Sequence, residues 1–405
     1  MLAATVRVTR DLDLAEECVQ DAFARALTSW STQGLPRNPD AWLTTVARNR
    51  ALDLMRREAT LQRKLPLLVE HEDQPDDTDP ASIPDDRLRL IFTCCHPALS
   101  REAQVALTLR LLCGLSTAEV AKAFLVSEPT MAARITRAKK KIAQARIPYR
   151  VPEATELPKR IDAVLAVIHL LFTTGHTAPH GNVLVRRDLV DRAEDLARLL
   201  ATLLPTSETT GLLALILLTG ARGPARVDDS GRLLVLEQQD RTLWDTARIA
   251  EGTVLVRSAL TQGPPGSYAL QAAIAALHAE AASWHDTDWA QIAELYALLE
   301  QRWPSPVVAL NRAVAMGFAH GLEAGLQALD ALAEEAALTG YGYLPAARAD
   351  VLRRLGRSAE ARVAYEQAIA LTHNEVERQF LLERLAALVD NPDSPLPRQV
   401  PARQE

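Results

Sequence analysis

The chain is short of the residues that build sheets and covalent staples. Only 4% of its 405 residues are aromatic, while Ala, Leu, Arg and Glu dominate long stretches, and these are the residues that lose least on entering a helix. Sandwiches, barrels and most parallel-sheet folds are thereby disfavoured, and an all-α chain of two to three domains is expected. Four cysteines cannot frame a chain of this length, and Cys94 and Cys95 are adjacent, which suits reduced thiols. Long apolar runs are missing too. Residues 164–172 and 212–218 fall far short of the roughly 20 needed to cross a bilayer, and no secretory or transit segment opens the chain. A soluble cytoplasmic protein with no membrane partner is expected.

The chemistry of catalysis is sparse as well. There is no glycine-rich phosphate loop and no nucleophile elbow. Cys94, Cys95 and His96 stand together, but no second cysteine pair follows at a finger-like spacing, so buried thiols are the expectation. His176 and His180 flank Pro179 without the glutamate of a zincin helix. No catalytic residue, metal or cofactor is expected, and an enzyme is the weaker class.

What the sequence does carry is uneven charge. The total of -6 conceals 22 Lys+Arg against 19 Asp+Glu in residues 1–150 and 23 against 32 in the remainder, so the N-terminal part is +3 and the rest -9. Two stretches concentrate the basic charge. Residues 127–150 have seven Lys or Arg and one acid, and residues 42–64 have six against two. Between them, residues 70–86 hold eight carboxylates, three prolines and no Lys or Arg, the composition of a flexible linker. Two basic helices around an acidic tether are two electrostatic footprints for a phosphate backbone.

Periodicity places these charges on helices. Leu14, Cys18, Ala22, Ala26 and Trp30 recur at i, i+4 behind the cap candidates Asp11 and Asp13. After the break at Gly34, Pro36 and Pro39, a second helix is expected over 40–64, with Trp42, Val46, Leu52 and Met55 on its apolar side. Helical patterns resume near Arg87, Ser100, Ser116 and Ser127. The last two have the spacing of a helix-turn-helix, with Ser116 and Glu119 as a capping box and Pro129 in the first turn behind Ser127. Met131, Ile135, Ala138 and Ile142 form one stripe of the final helix, which leaves Pro129, Ala133, Thr136, Arg137 and Lys140 opposite. Charge patterning alone also allows Lys139 to Lys141 to be a solvated face.

Beyond a proline-rich hinge (Pro148, Pro152, Pro158) the patterns pair up as helical hairpins. Ala349, Gly356, Ala361, Tyr365 and Ala368 fall at the small, turn, small, aromatic and small positions of a tetratricopeptide unit, and a looser copy spans 307–335 around Gly321. A true tetratricopeptide and a generic hairpin stack both fit.

The run from Asp13 to Ala26, followed by Ala41-Trp42-Leu43-Thr44-Thr45-Val46-Ala47-Arg48-Asn49-Arg50-Ala51-Leu52-Asp53, resembles region 2 of extracytoplasmic-function sigma factors, and the helix-turn-helix from Ser116 to Lys141 resembles their region 4. Phe92-Thr93-Cys94-Cys95-His96-Pro97 and the helical extension are similar to the subgroup with a C-terminal tetratricopeptide-like domain. The resemblance implies region 2 over 1–65, an acidic linker over 66–86, region 4 over 87–150, helical extension over 151–300, tetratricopeptide-like repeats over 301–391 and a disordered tail over 392–405. It implies an alternative sigma factor that binds core RNA polymerase through Glu17, Gln20, Asp21, Phe23 and Arg25. The 31–40 loop and the helix bearing Trp42, Arg48, Asn49, Arg56 and Arg57 would meet the minus-10 element of promoter DNA. A stacking and phosphate-binding pocket there would offset the few kcal/mol that unstacking a base costs, although Trp30 and Trp42 serve equally well as core anchors. At the minus-35 element Arg137 is the expected base reader, Thr136 and Ala133 contact bases or thymine methyls, and Ser127, Thr130, Arg134 and Lys140 position on phosphate. The chain departs from the family where Pro129 replaces Gly, where Ala132 replaces Lys or Arg, and in having a shorter stretch ahead of region 2. The C-terminal helices are expected to bind a protein partner or fold back on the basic helices. The competing readings are a helix-turn-helix regulator acting without polymerase and a helical scaffold protein.

Overall fold

The computed structural model describes residues 1–64, 86–124, 126–153 and 155–390. Eighteen α-helices and no strand occur among the described residues, as the composition requires. The chain divides into two compact units, Met1–Val167 and Ile168–Glu405. The expected tail and nearly all of the expected acidic linker lie outside the described residues; Asp86, assigned to the linker, instead opens a helix.

The first unit begins with α1 (Leu2–Thr9), α2 (Leu12–Gln33) and α3 (Pro39–Lys64). Asp11 caps α2, accepting from the amides of Asp13 and Leu14 at 2.8 and 2.9 Å, and so satisfies two of the donors that a helix start leaves open. Ala15, Cys18, Ala22 and Ala26 of α2 are buried, as are Leu43, Ala47 and Ala51 of α3. Small residues on both faces let the two axes approach closely. Trp30 and Trp42 flank this seam, their rings 5.4 Å apart and tilted by 58°. The connecting loop is shorter than 31–40, because α2 runs on to Gln33 and Asn38 caps α3 through the Ala41 amide at 3.0 Å. Met55 is 38% exposed; the buried line runs through Leu43, Ala47 and Ala51, one position removed from the Trp42 and Val46 stripe.

The same unit continues with α4 (Asp86–Cys94), α5 (Arg101–Leu111), α6 (Thr117–Ala123), α7 (Glu128–Gln144) and the start of α8 (Leu157–His176). Helices α4 and α5 are buried almost all round and form the platform on which α6 and α7 rest. Cys94 and Cys95 are buried, and burial pushes the Cys95 thiol up to about 12, partly offset by Thr108, so both are packing groups. Arg160 of α8 is buried and donates to the Phe92 carbonyl, which carries this core past the proline hinge.

The second unit holds α9 (Arg187–Leu203), α10 (Ser207–Gly220), α11 (Thr246–Thr261), α12 (Ser267–Glu280), α13 (Trp289–Arg302), α14 (Pro306–His320), α15 (Leu322–Ala331), α16 (Tyr343–Arg354), α17 (Ser358–Leu371) and α18 (Glu375–Asp390). Its helices meet at very short range. A Cβ on Gly211 of α10 would lie 2.6 Å from the Ala269 amide nitrogen of α12, and one on Gly325 of α15 would lie 2.6 Å from Gly317 Cα of α14. The Glu208 carboxylate of α10 accepts from the Tyr268 and Ala269 amides at 3.1 and 3.2 Å, capping α12 from another helix. The repeat positions Ala349, Ala361, Tyr365 and Ala368 are all buried, and the turns of both copies fall on glycines with positive φ, 73° at Gly356 and 113° at Gly321.

Candidate nucleic-acid interface

The helix-turn-helix assembles as its caps dictate. The Ser116 amide donates to Glu119 Oε2 at 2.8 Å, and the Glu119 amide donates to Ser116 Oγ at 3.2 Å, a reciprocal box that fixes the start of α6. Ser127 caps α7 through the Thr130 amide at 3.4 Å. Met131, Ile135, Ala138 and Ile142 are buried, so α7 is anchored along one stripe and presents the other. Ser127, Thr130, Ala133, Thr136, Arg137 and Lys140 are exposed together on that face. A cationic helix face standing proud of its platform matches the width and charge of a major groove. Arg134 is engaged elsewhere: its guanidinium lies 3.2 Å from Glu102 and 5.6 Å from the Phe124 ring centre.

On α3, Arg48, Asn49, Arg56 and Arg57 are exposed, whereas Trp42 is half-buried against Trp30 and the α2–α3 seam. Trp30 Nε1 is buried with no hydrogen-bond partner among the described residues. On α2, Glu17, Gln20, Phe23 and Arg25 are exposed, while Asp21 accepts from Arg50 at 2.8 Å and thereby ties α2 to α3. Phe23 is 50% and Leu27 79% exposed. These two form an apolar i, i+4 pair, and Leu27 escaped the sequence reading. Its signal was available: Phe23 and Leu27 each follow, by one position, the buried Ala22 and Ala26, which turns them off the core stripe.

One contact within the unit alters the reading of the basic run 139–141. Lys139 of α7 is only 11% exposed and pairs with Asp13 at 2.7 Å and with Glu16, both on α2. Glu16 also lies 3.1 Å from Arg110 of α5. Burial penalises the Lys139 charge, but hydrogen bonds to Asp13 and Glu16 outweigh it and hold the pKa above the usual lysine value. The Tyr149 hydroxyl, beyond α7, is shared between the Ala3 carbonyl of α1 at 2.7 Å and the Asp86 carbonyl of α4 at 2.9 Å. Of the three lysines, Lys140 and Lys141 are exposed. The third is a strut between the two basic helical modules.

Comparison with known proteins follows the same division. Residues 2–60 match sigma-70 region 2 and residues 89–142 match sigma-70, region 4. Residues 160–260 match a family of unknown function (DUF6596). An uncharacterized protein of Rhizobium meliloti (strain 1021) is 44% identical over 399 residues, covering 96% of this chain and 94% of that one. No solved structure matches. No helix among the described residues is long and apolar enough to cross a membrane. Both sigma modules stand in family order, each with the caps and buried stripe that its helices require, and an all-helical region follows them. The chain belongs to the sigma-70 family, as an extracytoplasmic-function-like sigma factor, a transcription initiation factor with a C-terminal extension.

Proposed function

We propose that this sigma factor binds core RNA polymerase through the exposed face of α2 and directs initiation at promoters read by α3 at the minus-10 element and by α7 at the minus-35 element. The observation that carries the reading is the exposed α7 face of Thr130, Ala133, Thr136, Arg137 and Lys140, opposite a fully buried stripe. On α2, Glu17, Gln20, Phe23 and Arg25, joined by Leu27, offer a mixed polar and apolar surface suited to a coiled coil; Asp21 contributes by holding α2 on α3. On α3, Arg48, Asn49, Arg56 and Arg57 supply phosphate and base-edge contacts, and Trp42 supports them from the seam.

Two weak DNA contacts made on one polymerase scaffold reinforce each other through effective concentration. The closed arrangement held by Lys139 favours the free protein, and engagement of two separated promoter elements would release it. The C-terminal helices act as a regulatory protein-interaction module. Purified full-length chain should associate with core polymerase and support transcription in a reconstituted assay, and sequencing RNA 5′ ends after controlled expression would give the motif. A protein that binds operator DNA with high affinity alone and never supports initiation would instead be a helix-turn-helix regulator.

A further inference from the structure

We propose that the C-terminal unit carries a binding site for a small planar aromatic carboxylate. A cavity of about 380 Å³ opens among α12, α13, α14 and α16, within the size range of small-molecule sites. Trp284, Trp289 and Phe318 line one side of it, with Trp284 edge-on to both other rings at 4.7 and 5.1 Å between centres. Such a cluster presents faces and edges to a flat guest. His278 meets Trp289 edge-on at 5.2 Å and, with Tyr296, makes the polar end of the cavity.

The charges around the cavity select the guest. Its two carboxylates are already matched: Arg354 lies 2.5 Å from Glu237 and 2.7 Å from Asp350, and Arg353 lies 2.6 Å from Asp350. No acid is left over to receive a cation. At the polar end the balance is the reverse. Arg222, half-buried, has no carboxylate within ion-pair distance and no hydrogen bond among the described residues; its neighbours Arg226 and Arg241 are cations too, and the carboxylates of Glu377 and Asp286 act on those two, not on Arg222.

Arg241 donates to the carbonyls of His278 and Ala281 at 2.8 and 2.5 Å, but its Nη2 is buried without a partner, as is His278 Nδ1. Burial, then Arg222 and Arg241, push the His278 imidazole down to about 3. Burial pushes the Tyr296 phenol up to about 12, so both are neutral groups able to donate near neutrality. Two neutral donors lining the cavity, backed by the half-buried Arg222 and by the unpartnered Nη2 of Arg241, suit a carboxylate, since a partly desolvated cation without a counter-charge is costly. The flat aromatic wall beside them sets the rest of the guest.

Calorimetric titration of the full chain with 1-naphthaleneacetate, the neutral 1-naphthaleneacetamide and the cationic 2-(1-naphthyl)ethylamine tests this. The acetate should bind at least about tenfold more tightly than the amide, roughly 1.4 kcal/mol, and the amine most weakly. Arg222→Met should reduce that preference to about threefold or less while leaving amide binding unchanged. Arg241→Gln provides the same test if Arg222→Met does not fold. Phe318→Ala should weaken acetate and amide alike. An amide that binds as well as the acetate, an acetate preference that survives the arginine change, or no saturable binding of any probe would overturn the proposal. Binding is read directly, so the result is independent of promoter recognition.

Discussion

The two units of this chain hold themselves together by different means. In the first, a set of polar contacts joins the two sigma modules beside the packing of α1 on α4: Lys139 with Asp13 and Glu16, Arg110 with Glu16, Arg7 with Asp86, and the Tyr149 hydroxyl on two carbonyls. In the second, helices meet backbone to backbone at glycines, and aromatic rings and alanines fill what remains. Ion pairs and hydrogen bonds trade with water at little net free energy, so that polar part of the first arrangement can be undone and remade. Close packing has no such substitute. A joint that can open is built the first way, and a rigid one the second.

The sharpest way to break the second unit alone is at a glycine crossing. Gly211→Ala should cost about 3 kcal/mol, the upper end of overpacking, because the Cβ would meet backbone that cannot move aside. Urea unfolding followed by tryptophan fluorescence should show the transition of the C-terminal unit moving to lower urea while Trp30 and Trp42 report no change; an unmoved midpoint would mean that the crossing is loose. Acid should act next. Burial holds His169 down to about 4 and His278 down to about 3, against roughly 6.5 unfolded. Depressed histidines contribute stability that is complete above the unfolded value and is lost as pH falls toward the folded one. Between about pH 7 and about pH 5, His169 alone should account for about 2 kcal/mol, and His169→Leu should flatten that part of the stability profile.

Effects on the first unit are smaller and read out as binding. Arg137→Ala should weaken minus-35 dependence about tenfold, roughly 1.4 kcal/mol, and relax sequence preference at one position; unchanged promoter choice would remove Arg137 as the base reader. Glu16→Gln should loosen the strut by at most about 1 kcal/mol and raise the affinity of the free chain for promoter duplex in fluorescence anisotropy. Equal or lower affinity would show that the strut does not compete with DNA.

Much of this is legible in the sequence. Caps are local, so Asp11, Ser100, Ser116 and Ser127 could be read from a few residues each, and the Met131 to Ile142 stripe predicted which face of α7 would be offered. The misses are tertiary. Nothing in the run 139–141 says that its first lysine would be buried against carboxylates more than a hundred residues earlier, because that pairing depends on where two separate modules dock. Arg134 and Asp21 carry charges that the pattern assigned to partners and the fold gave to Glu102 and Arg50. The cavity beside His278 was invisible, since its wall comes from segments scattered over more than a hundred residues.

The Glu208 carboxylate bears on how the chain is made. Helix α12 has no side-chain cap of its own at Gly266, and the carboxylate that closes its first turn lies 60 residues earlier in the chain. During synthesis α10 therefore emerges with an acid aimed at donors that do not yet exist, and α12 emerges with a frayed end until it finds that acid. Helix α10 carries its own capping box at Thr206 and Thr209, whereas α12 is not finished alone. The first turn of α12 therefore closes only against α10, which makes their crossing a dependent step in the assembly of the C-terminal unit.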